Sequence, residues 1–307
     1  MSPAADVGPD PRHVPPVLPE EVVRELAARY EMERVGLRPG LFAYIAHVWR
    51  YRHLMWAMAK GELISQHQDN YLGWLWSILT PLMLAGVYFL VFGVLIGGTR
   101  AGITNFVTFL TAGLFTFVVL STALTTGSKS LLSKKGMMHA LKFPRVLLPI
   151  TTVLGSFVQQ LPAFVVLILI ALWQERTFTP AVLLYPVALF IVLLLATGMS
   201  MLLAPLVHWS RDIANIMPLA VRMLRYTSGV FFSIEGQLAR FNNPPPIVEG
   251  ILAYQPFAVS MTIVRQTLML EFPLRLSSWL VAGGWAVLFF VVGFVAFWRG
   301  EGRYGRT

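Results

Sequence analysis

Six stretches of this sequence carry almost no charge and are long enough to cross a membrane. They run at about 74–97, 103–126, 146–173, 179–203, 213–234 and 277–298. The first has 24 uncharged residues, roughly 36 Å of α-helix against a hydrocarbon core of about 30 Å. Backbone polar groups in lipid must be satisfied within the segment, so each stretch has to be helical. The sequence therefore predicts an all-α integral membrane protein with six transmembrane helices.

The composition and the placement of charge support this class. Of the 307 residues, 56% are hydrophobic and 13% are charged, whereas a soluble protein carries about 25% charged residues. Residues 1–73 hold eight basic and nine acidic side chains, so the net charge of +9 arises between and after the apolar stretches. That pattern is typical of an orientation signal and argues against a nucleic-acid partner. The absence of cysteine excludes a disulfide framework and a thiolate metal site.

The basic residues also predict the topology. The connection at 127–145 has no acidic residue and five basic ones, namely Lys129, Lys134, Lys135, Lys142 and Arg145. Six spans place both termini on one side of the membrane, and this loop falls on that same side. By the positive-inside rule the side is cytoplasmic. Both termini, including the tail 300–307, are therefore predicted to be cytoplasmic.

The segment before the first span divides into a tail and a surface helix. Residues 1–41 form a soluble tail, and six prolines among its first 19 residues predict disorder. In residues 42–64 the apolar side chains recur every three or four positions, while Arg50, Arg52 and Lys60 fall largely elsewhere. This pattern predicts an amphipathic helix lying in the membrane plane. The alternative is a helix packed inside a soluble domain, although little soluble chain is left to bury it.

The sequence lacks the motifs of a membrane enzyme or a self-powered pump. It contains no GxxxxGK[ST] phosphate-binding loop, no HExxH zinc motif and no paired histidines. No pair of carboxylates lies inside a span to relay protons, and the two halves show no clear repeat of the kind found in secondary transporters. We therefore expect a transport subunit with no catalytic residue, no metal site and no cofactor of its own.

Two arginines inside the fifth stretch are candidate substrate ligands. Arg222 and Arg225 are one helical turn apart, and a guanidinium facing lipid would cost at least about 2.5 kcal/mol. They are expected to face a wet cavity or a partner subunit, where each fork could hold phosphate oxygens of a lipid-linked substrate. Anchoring at the membrane surface is an equal alternative. The aromatic residues Tyr226, Phe231 and Phe232 follow, and could stack on sugar rings or simply pack.

Four segments, in this order, resemble one family. They are DNYLGWLWSILTPLMLAGVYFLVFG, SLLSKKGMMHALKFPRVLLPI, WSRDIANIMP and RYTSGVFFSI. They resemble the LGxLWxxLxPL…FG, KxxFPRxxLP, RDIxxxxP and SGVFF patterns of type-2 ATP-binding-cassette exporter permeases. The match is with the branch that exports polysaccharides and polyol phosphates. Within it, exporters of O-antigen and of actinobacterial galactan are most similar.

The resemblance implies a partner and a mechanism. Two copies would form a homodimer around a channel in the inner membrane of a bacterium, docked on two cytoplasmic ATPase subunits that hold ATP and Mg²⁺. The channel would use aromatic side chains of the first and fifth spans, including Trp74 and Tyr88. The substrate would be a polyprenyl-pyrophosphate-linked glycan, with teichoic-acid-like polymers or small hydrophobic drugs as alternatives. Residues 71–299 would be the exporter domain.

The resemblance also assigns roles to the loops. The surface helix would lie beside the substrate entrance, and residues 235–275 would form re-entrant gate helices on the outer side. The loop 127–145 would supply a coupling helix for the ATPase. Arg211 and Asp212 lie in the next short connection, where Asp212 could also act only as a helix cap. The candidate coupling residues are Lys129, Lys134, Lys135, His139, Lys142, Arg211 and Asp212.

Overall fold

The computed structural model describes residues 40–65, 75–95, 103–141, 143–175, 180–234 and 246–301, with single positions at 22, 26 and 236. Within these residues all regular structure is helical and no strand occurs, which confirms the all-α class. The chain divides into two units, Met1–Pro39 and Gly40–Thr307, and the first contains only two described positions. Most of the predicted tails at 1–41 and 300–307 lies outside the described residues.

The helices are numbered here in chain order. They are α1 (Leu41–Arg50), α2 (Arg52–Ser65), α3 (Trp76–Tyr88), α4 (Phe106–Thr122), α5 (Ser130–Ser133), α6 (Lys135–Ala140), α7 (Leu147–Glu175), α8 (Tyr185–Trp209), α9 (Arg211–Thr227), α10 (Pro246–Tyr254), α11 (Pro256–Leu268) and α12 (Leu276–Gly300). Wider π turns extend α3 over Phe89–Leu95 and α4 over Ala123–Gly127, and a 3₁₀ turn at Pro180–Leu184 leads into α8.

Four helices of the described chain are long and apolar enough to span a membrane. They cover Phe106–Gly127, Leu147–Glu175, Pro180–Trp209 and Leu276–Gly300. They coincide with the second, third, fourth and sixth predicted spans, which identifies a multi-pass membrane protein. The helix of the fourth predicted span continues past Pro205 to Trp209, further than the predicted end at 203, and it ends where Ser210 takes an extended conformation.

The two other predicted spans take different forms. The first is helical from Trp76, and its described part ends in the π turns at Leu95. The predicted fifth span, 213–234, is wrong at its carboxyl end, because α9 stops at Thr227. Gly229 has φ +75°, a left-handed conformation that glycine adopts readily and that ends helices. Since α9 has only 17 residues, about 26 Å of helix, the number of six spans stays a prediction.

The spans alternate in direction, so the bundle has two distinct ends. At one end the Asn105 amide donates to a Glu175 carboxylate oxygen at 2.8 Å, and the Thr104 N–H donates to Glu271 at 2.8 Å. We call this the gate end. At the other end Arg145 donates from its backbone N–H and its guanidinium to Glu301, at 3.0 and 2.7 Å. We call this the coupling end, because it carries α5 and α6.

The most extensive helix pairing joins α8 to α12. A Cβ added to Gly293 would lie 2.5 Å from the Gly198 carbonyl oxygen and 3.1 Å from the Leu202 nitrogen. A Cβ on Gly198 would likewise collide with the backbone of Phe290. The two backbones approach this closely only because both positions lack a side chain. Small residues at a crossing point are the usual way for membrane helices to pack, since lipid gives no hydrophobic drive for their association.

Helix α4 lies in the centre of the bundle. Its span is 78% buried, and it contacts α3, α7, α8 and α11. At the gate end, the Gln174 side-chain oxygen accepts from both the N–H and the hydroxyl of Thr108, at 2.9 and 2.6 Å. This contact satisfies one of the backbone N–H groups that a helix start leaves without a partner.

Two short helices, α10 and α11, lie within residues 235–275, where gate helices were predicted, and their role as a gate stays a prediction. The Gln255 amide between them donates to the Thr227 carbonyl at the end of α9, at 2.8 Å. The indole N–H of Trp285 donates to the Tyr254 carbonyl at 2.8 Å, and that of Trp279 donates to Gln266 at 3.0 Å. These bonds hold α10 and α11 between α9 and α12.

Candidate substrate path and coupling surface

Helix α9 buries one face and exposes the other. Ala214 and Val221 pack against the bundle, while the opposite face carries Arg222 and exposed apolar side chains. The exposed apolar residues are Ile216, Leu219, Met223 and Tyr226. A helix with both an arginine and large apolar groups on its free face suits neither water nor lipid alone. It is suited to a subunit contact or a channel wall.

The two candidate arginines differ in environment, although the sequence predicted a common face. Arg222 is exposed, whereas Arg225 is half-buried with its guanidinium carbon 5.2 Å from the centre of the Phe117 ring on α4. Two residues three positions apart lie about 60° apart around a helix. Here that angle is enough to put Arg222 on the free face and Arg225 on the packed face of α9. Arg222 is therefore the better-placed ligand for a substrate in the path.

The aromatic candidates also differ in their exposure. Tyr226 is 56% exposed, and its ring lies 5.7 Å from that of Phe231, which is 4% exposed. Phe232 is half-buried and packs against the main core. Tyr226 is thus the aromatic residue of this group that is accessible to a sugar. Trp74 lies outside the described residues, and for Tyr88 only the backbone is described.

The predicted surface helix 42–64 is present as two helices, α1 and α2, with a break at Tyr51. One side packs on the coupling end of the bundle through Tyr44, which is 1% exposed and lies with its ring 5.6 Å from that of Phe294. The other side exposes large apolar groups, namely Phe42, Ile45, Trp49, Trp56 and Ile64. Because protein already covers the first side, the exposed aromatic side is the one available to a membrane.

The basic residues of this segment are exposed among those aromatic groups. Arg50, Arg52 and Lys60 all reach solvent, and the Arg52 guanidinium lies 6.0 Å from the Trp49 ring centre. Aromatic rings at headgroup depth beside cationic side chains are typical of interfacial membrane helices. The three basic side chains are thus exposed on the free side of the surface segment, and their contact with bilayer phosphates stays a prediction.

Lys134, predicted as a coupling residue, makes specific contacts inside the chain. Its ammonium donates to the Glu62 carboxylate at 2.9 Å and to the Thr152 hydroxyl at 3.1 Å. About four-fifths of each charged side chain is shielded from solvent. One lysine thus joins the surface helix α2, the coupling loop and the span α7. Neither Glu62 nor Thr152 was predicted as a site residue, since each is 18 or more positions away in sequence.

Among the described contacts, none of the remaining coupling candidates forms a side-chain bond of this kind. Lys129 and Lys135 are half-buried around α5, and Arg211 and Asp212 are exposed at the start of α9. The N-cap residue of α9 is Ser210 and Asp212 lies within the first turn, so the alternative role of Asp212 as the helix cap is wrong. Lys142 lies outside the described residues, and His139 is described only in its backbone.

The family match covers most of these elements. The family described as "ABC-2 type transporter" matches residues 53–241, from α2 to beyond the end of α9. The chain belongs to the ABC-2 type transporter family. This result confirms the resemblance found in the sequence and identifies a membrane transport subunit. No group of three or more His, Asp or Glu residues in the described part of this ABC-2 permease could hold a metal ion.

Curated relatives of this ABC-2 permease share one description. An "O-antigen export system permease protein RfbA" from Myxococcus xanthus is 28% identical over 193 residues, which are 62% of this chain and 72% of the relative. Two proteins of the same description from Klebsiella pneumoniae are 22% and 21% identical, each over 70% of this chain and 80% of the relative. All three are named as permeases for O-antigen export.

The Lys134–Glu62 contact of this ABC-2 permease gives a testable energetic prediction. Replacing Lys134 by methionine leaves a shielded carboxylate without its cation, so we expect a loss of about 1.5–3 kcal/mol in the free energy of unfolding. The Glu62→Gln change should cost a similar amount, and the double variant should cost little more than either one. Thermal unfolding of the detergent-purified chain measures these effects.

The neighbouring lysine supplies the control. Lys135→Met removes the same charge from the same loop without breaking the described ion pair, and is expected to leave the unfolding midpoint within about 0.5 kcal/mol of the parent. Equal effects of Lys134→Met and Lys135→Met, or full additivity of the two changes in the ion pair, would show that this bond does not hold the surface helix.

Proposed function

We propose that this chain is the permease subunit of an exporter that moves a polyprenyl-pyrophosphate-linked glycan across the inner membrane of a bacterium. The named activity of three relatives, O-antigen export, supports the glycan class. In this proposal two copies form the channel. Two separate ATPase subunits hold ATP and Mg²⁺ and supply the energy, while this chain provides the path.

The observation that carries the proposal is the free face of α9. Its arginine, its tyrosine and its apolar side chains match the three parts of the substrate: an anionic diphosphate, a sugar and a lipid tail. Arg222 would bind phosphate oxygens, and Tyr226 would offer a ring face to the sugar. The same apolar surface would also be covered by a second copy, which accounts for large exposed groups on a helix within the membrane.

The proposed direction of transport follows from the two ends of the bundle. Substrate would enter beside α1 and α2, where exposed aromatic and basic groups meet the headgroups of the cytoplasmic leaflet. The coupling end, with α5 and α6, would receive the ATPase, and the gate end would open outward. Tyr44, near the start of the Gly40–Thr307 unit, packs on Phe294 at the coupling end, and Glu301 accepts from Arg145 at the same end, which supports the proposed placement of both termini in the cytoplasm.

The topology can be measured directly because the chain has no cysteine. A Cβ added to Gly136 in α6 would meet no atom within 4 Å, and Leu270 near the gate helices is 55% exposed. In intact cells we expect a membrane-impermeant thiol reagent to label Leu270→Cys and to spare Gly136→Cys until the membrane is opened. Labelling in the reverse pattern would invert the proposed orientation.

The substrate class can be tested through the partner. The tagged chain, purified from its own membranes, is expected to bring down an ATPase whose hydrolysis rises with an added polyprenyl-diphosphate glycan. The same lipid diphosphate without sugar, a polyol-phosphate polymer and a hydrophobic cation serve as comparisons. Stimulation by the polymer or by the cation, without stimulation by the glycan, would favour the alternative substrates and reject the glycan.

A further inference from the structure

A buried arginine outside the candidate path joins three elements at the gate end. Arg265 of α11 is 4% exposed, and its Nη2 donates to the carbonyl oxygens of Gly229 and Val230 at 3.0 and 3.1 Å. Its Nε donates to the Phe109 carbonyl of α4 at 3.3 Å, and the guanidinium carbon lies 3.5 Å from the Phe109 ring centre. The side chain therefore binds the turn that ends α9 and the central helix at once.

This arginine is held without a balancing negative charge. Among the described residues its partners are three carbonyl oxygens and an aromatic face, and it forms no ion pair with a described carboxylate. Removing a guanidinium from water is costly, and neutral partners offset that cost only when the geometry is good. A buried charge kept at such a cost is therefore expected to do more than fill space.

The space around the guanidinium is limited on one side. A Cβ on Gly113 of α4 would lie 2.5 Å from Nη2 of Arg265 and 3.1 Å from the Val230 carbonyl oxygen. Only glycine at this position leaves room for the arginine to reach both carbonyls. The Phe109 ring in turn packs against Phe272, at 5.8 Å between centres, so the aromatic surface under the arginine is fixed.

The other side of Arg265 is open. The side chain lines a cavity of about 140 Å³ together with Ser228, Thr262, Gln266, Glu271 and Arg275. A cavity of this size with hydroxyl, amide and carboxylate groups has room for several water molecules. A guanidinium that left its carbonyl partners could thus be solvated a short distance away, and Glu271 would lie in the same space.

We propose that Arg265 is a positioning residue that holds the gate closed. In the closed state it fastens α11 to the turn after α9. In the open state it moves into the polar cavity, so that α10 and α11 can separate from α9. Two arrangements of one side chain, one dry and carbonyl-bound and one hydrated, make the gate an element with two stable states. This inference rests on the proposed function, because a gate presupposes a path.

Leakage without ATP tests the inference. Proteoliposomes containing the chain alone are loaded with a small hydrophilic dye, and its efflux is measured. Arg265→Gln and Gly113→Ala are expected to speed efflux by about tenfold or more, since each removes or displaces charge-assisted bonds of the closed state. Gly250→Ala in α10 is the matched control, because its Cβ meets no atom within 4 Å; it should leak no faster than the parent.

Folding is checked for each variant by size-exclusion chromatography in detergent. If Arg265→Gln does not fold, Gly113→Ala and Phe109→Leu carry the test with milder changes. Folded variants that remain as tight as the parent would overturn the inference. The assay needs neither glycan nor ATPase, so tight variants in a chain that still exports would reject the gate role of Arg265 and leave the proposed function intact.

A distance measurement covers the case in which every variant fails to fold. Spin labels at Thr227→Cys at the end of α9 and Ile251→Cys in α10, both exposed positions, keep Arg265 in place. In the complex with the partner ATPase, the distance between the labels should be short without ATP and longer in a second population during turnover. One unchanged distance in an actively exporting complex would overturn the inference.

Discussion

Replacing Gly293 by leucine is expected to prevent the normal packing of α8 against α12 and to cause a large loss of stability. The first atom of the new side chain would already lie 2.5 Å from the carbonyl oxygen of Gly198. Backbone cannot rotate away as a flexible side chain can, so the two helices would have to separate along their contact.

The expected size of the effect follows from overpacking. Inserting side-chain atoms into a filled core costs about 1–3 kcal/mol and sometimes more, and the contact here is with backbone on both sides of the crossing. We expect at least about 3 kcal/mol, which for a chain of this size lowers the unfolding midpoint by roughly 5 °C or more. Aggregation during detergent extraction is the expected result if the helices cannot pair.

The same helix offers a matched control at Gly284. That residue is exposed, and a Cβ there meets no atom within 4 Å. Gly284→Leu should therefore raise helix propensity by about 0.5–1 kcal/mol without a collision. The unfolding midpoints of the two purified variants, measured by thermal unfolding, test whether the helix crossing is as close as described. If Gly293→Leu unfolds at the same temperature as Gly284→Leu, the close crossing of α8 and α12 is not real.

The second large effect is expected at Arg222. If its guanidinium binds the diphosphate of the substrate, Arg222→Ala removes one or two charge-assisted hydrogen bonds, each worth about 1.5–3 kcal/mol. The substrate concentration that gives half-maximal stimulation of the partner ATPase should then rise by about 10- to 100-fold. Arg222→Lys keeps the positive charge but loses the forked guanidinium. Its half-maximal substrate concentration is therefore expected to lie between those of the parent and of Arg222→Ala.

Two further variants distinguish substrate binding by Arg222 from an effect on the packing of α9. Arg225→Ala removes the contact with Phe117 and should affect stability more than substrate response, because that side chain is directed to α4. Asn215→Ala changes another exposed position on the same helix and should leave both quantities unchanged. If Arg222→Ala leaves the substrate response intact while the complex assembles normally, Arg222 does not contact the substrate.

The positions of the spans could be read from the sequence, but their neighbours could not. The spans of α4 and α12 are equally free of charge, yet 78% of the first and 22% of the second is buried in the chain. Lipid and protein interior are both apolar, so hydrophobicity alone does not tell them apart. The pairs Gly198–Gly293 and Gly113–Arg265 mark the close contacts, and they join positions about 100 and 150 residues apart, beyond any local pattern.

For the charged residues of the site, too, the sequence predicted local placement but not contacts with distant parts of the chain. Helical spacing, a local property, predicted Arg50, Arg52 and Lys60 on a basic face of the surface helix, and in the structure all three side chains are exposed beside exposed aromatic groups. It gave Lys134 no partner, since Glu62 is 72 positions away and the contact depends on how α2 packs on α7. The glycine of the SGVFF segment was the available signal for the end of α9, and the uncharged residues after it concealed that end.

Transport by a reconstituted complex is the most direct test of the account. Proteoliposomes would contain this chain and its partner ATPase, with the ATPase on the outside of the vesicle. A polyprenyl-diphosphate glycan would be placed in the outer leaflet, where an external lectin can bind it. We expect ATP to move the glycan out of reach of the lectin, and we expect no movement with a non-hydrolysable analogue. A glycan that stays accessible during ATP hydrolysis, or that moves with this chain alone and no ATPase, would contradict the account.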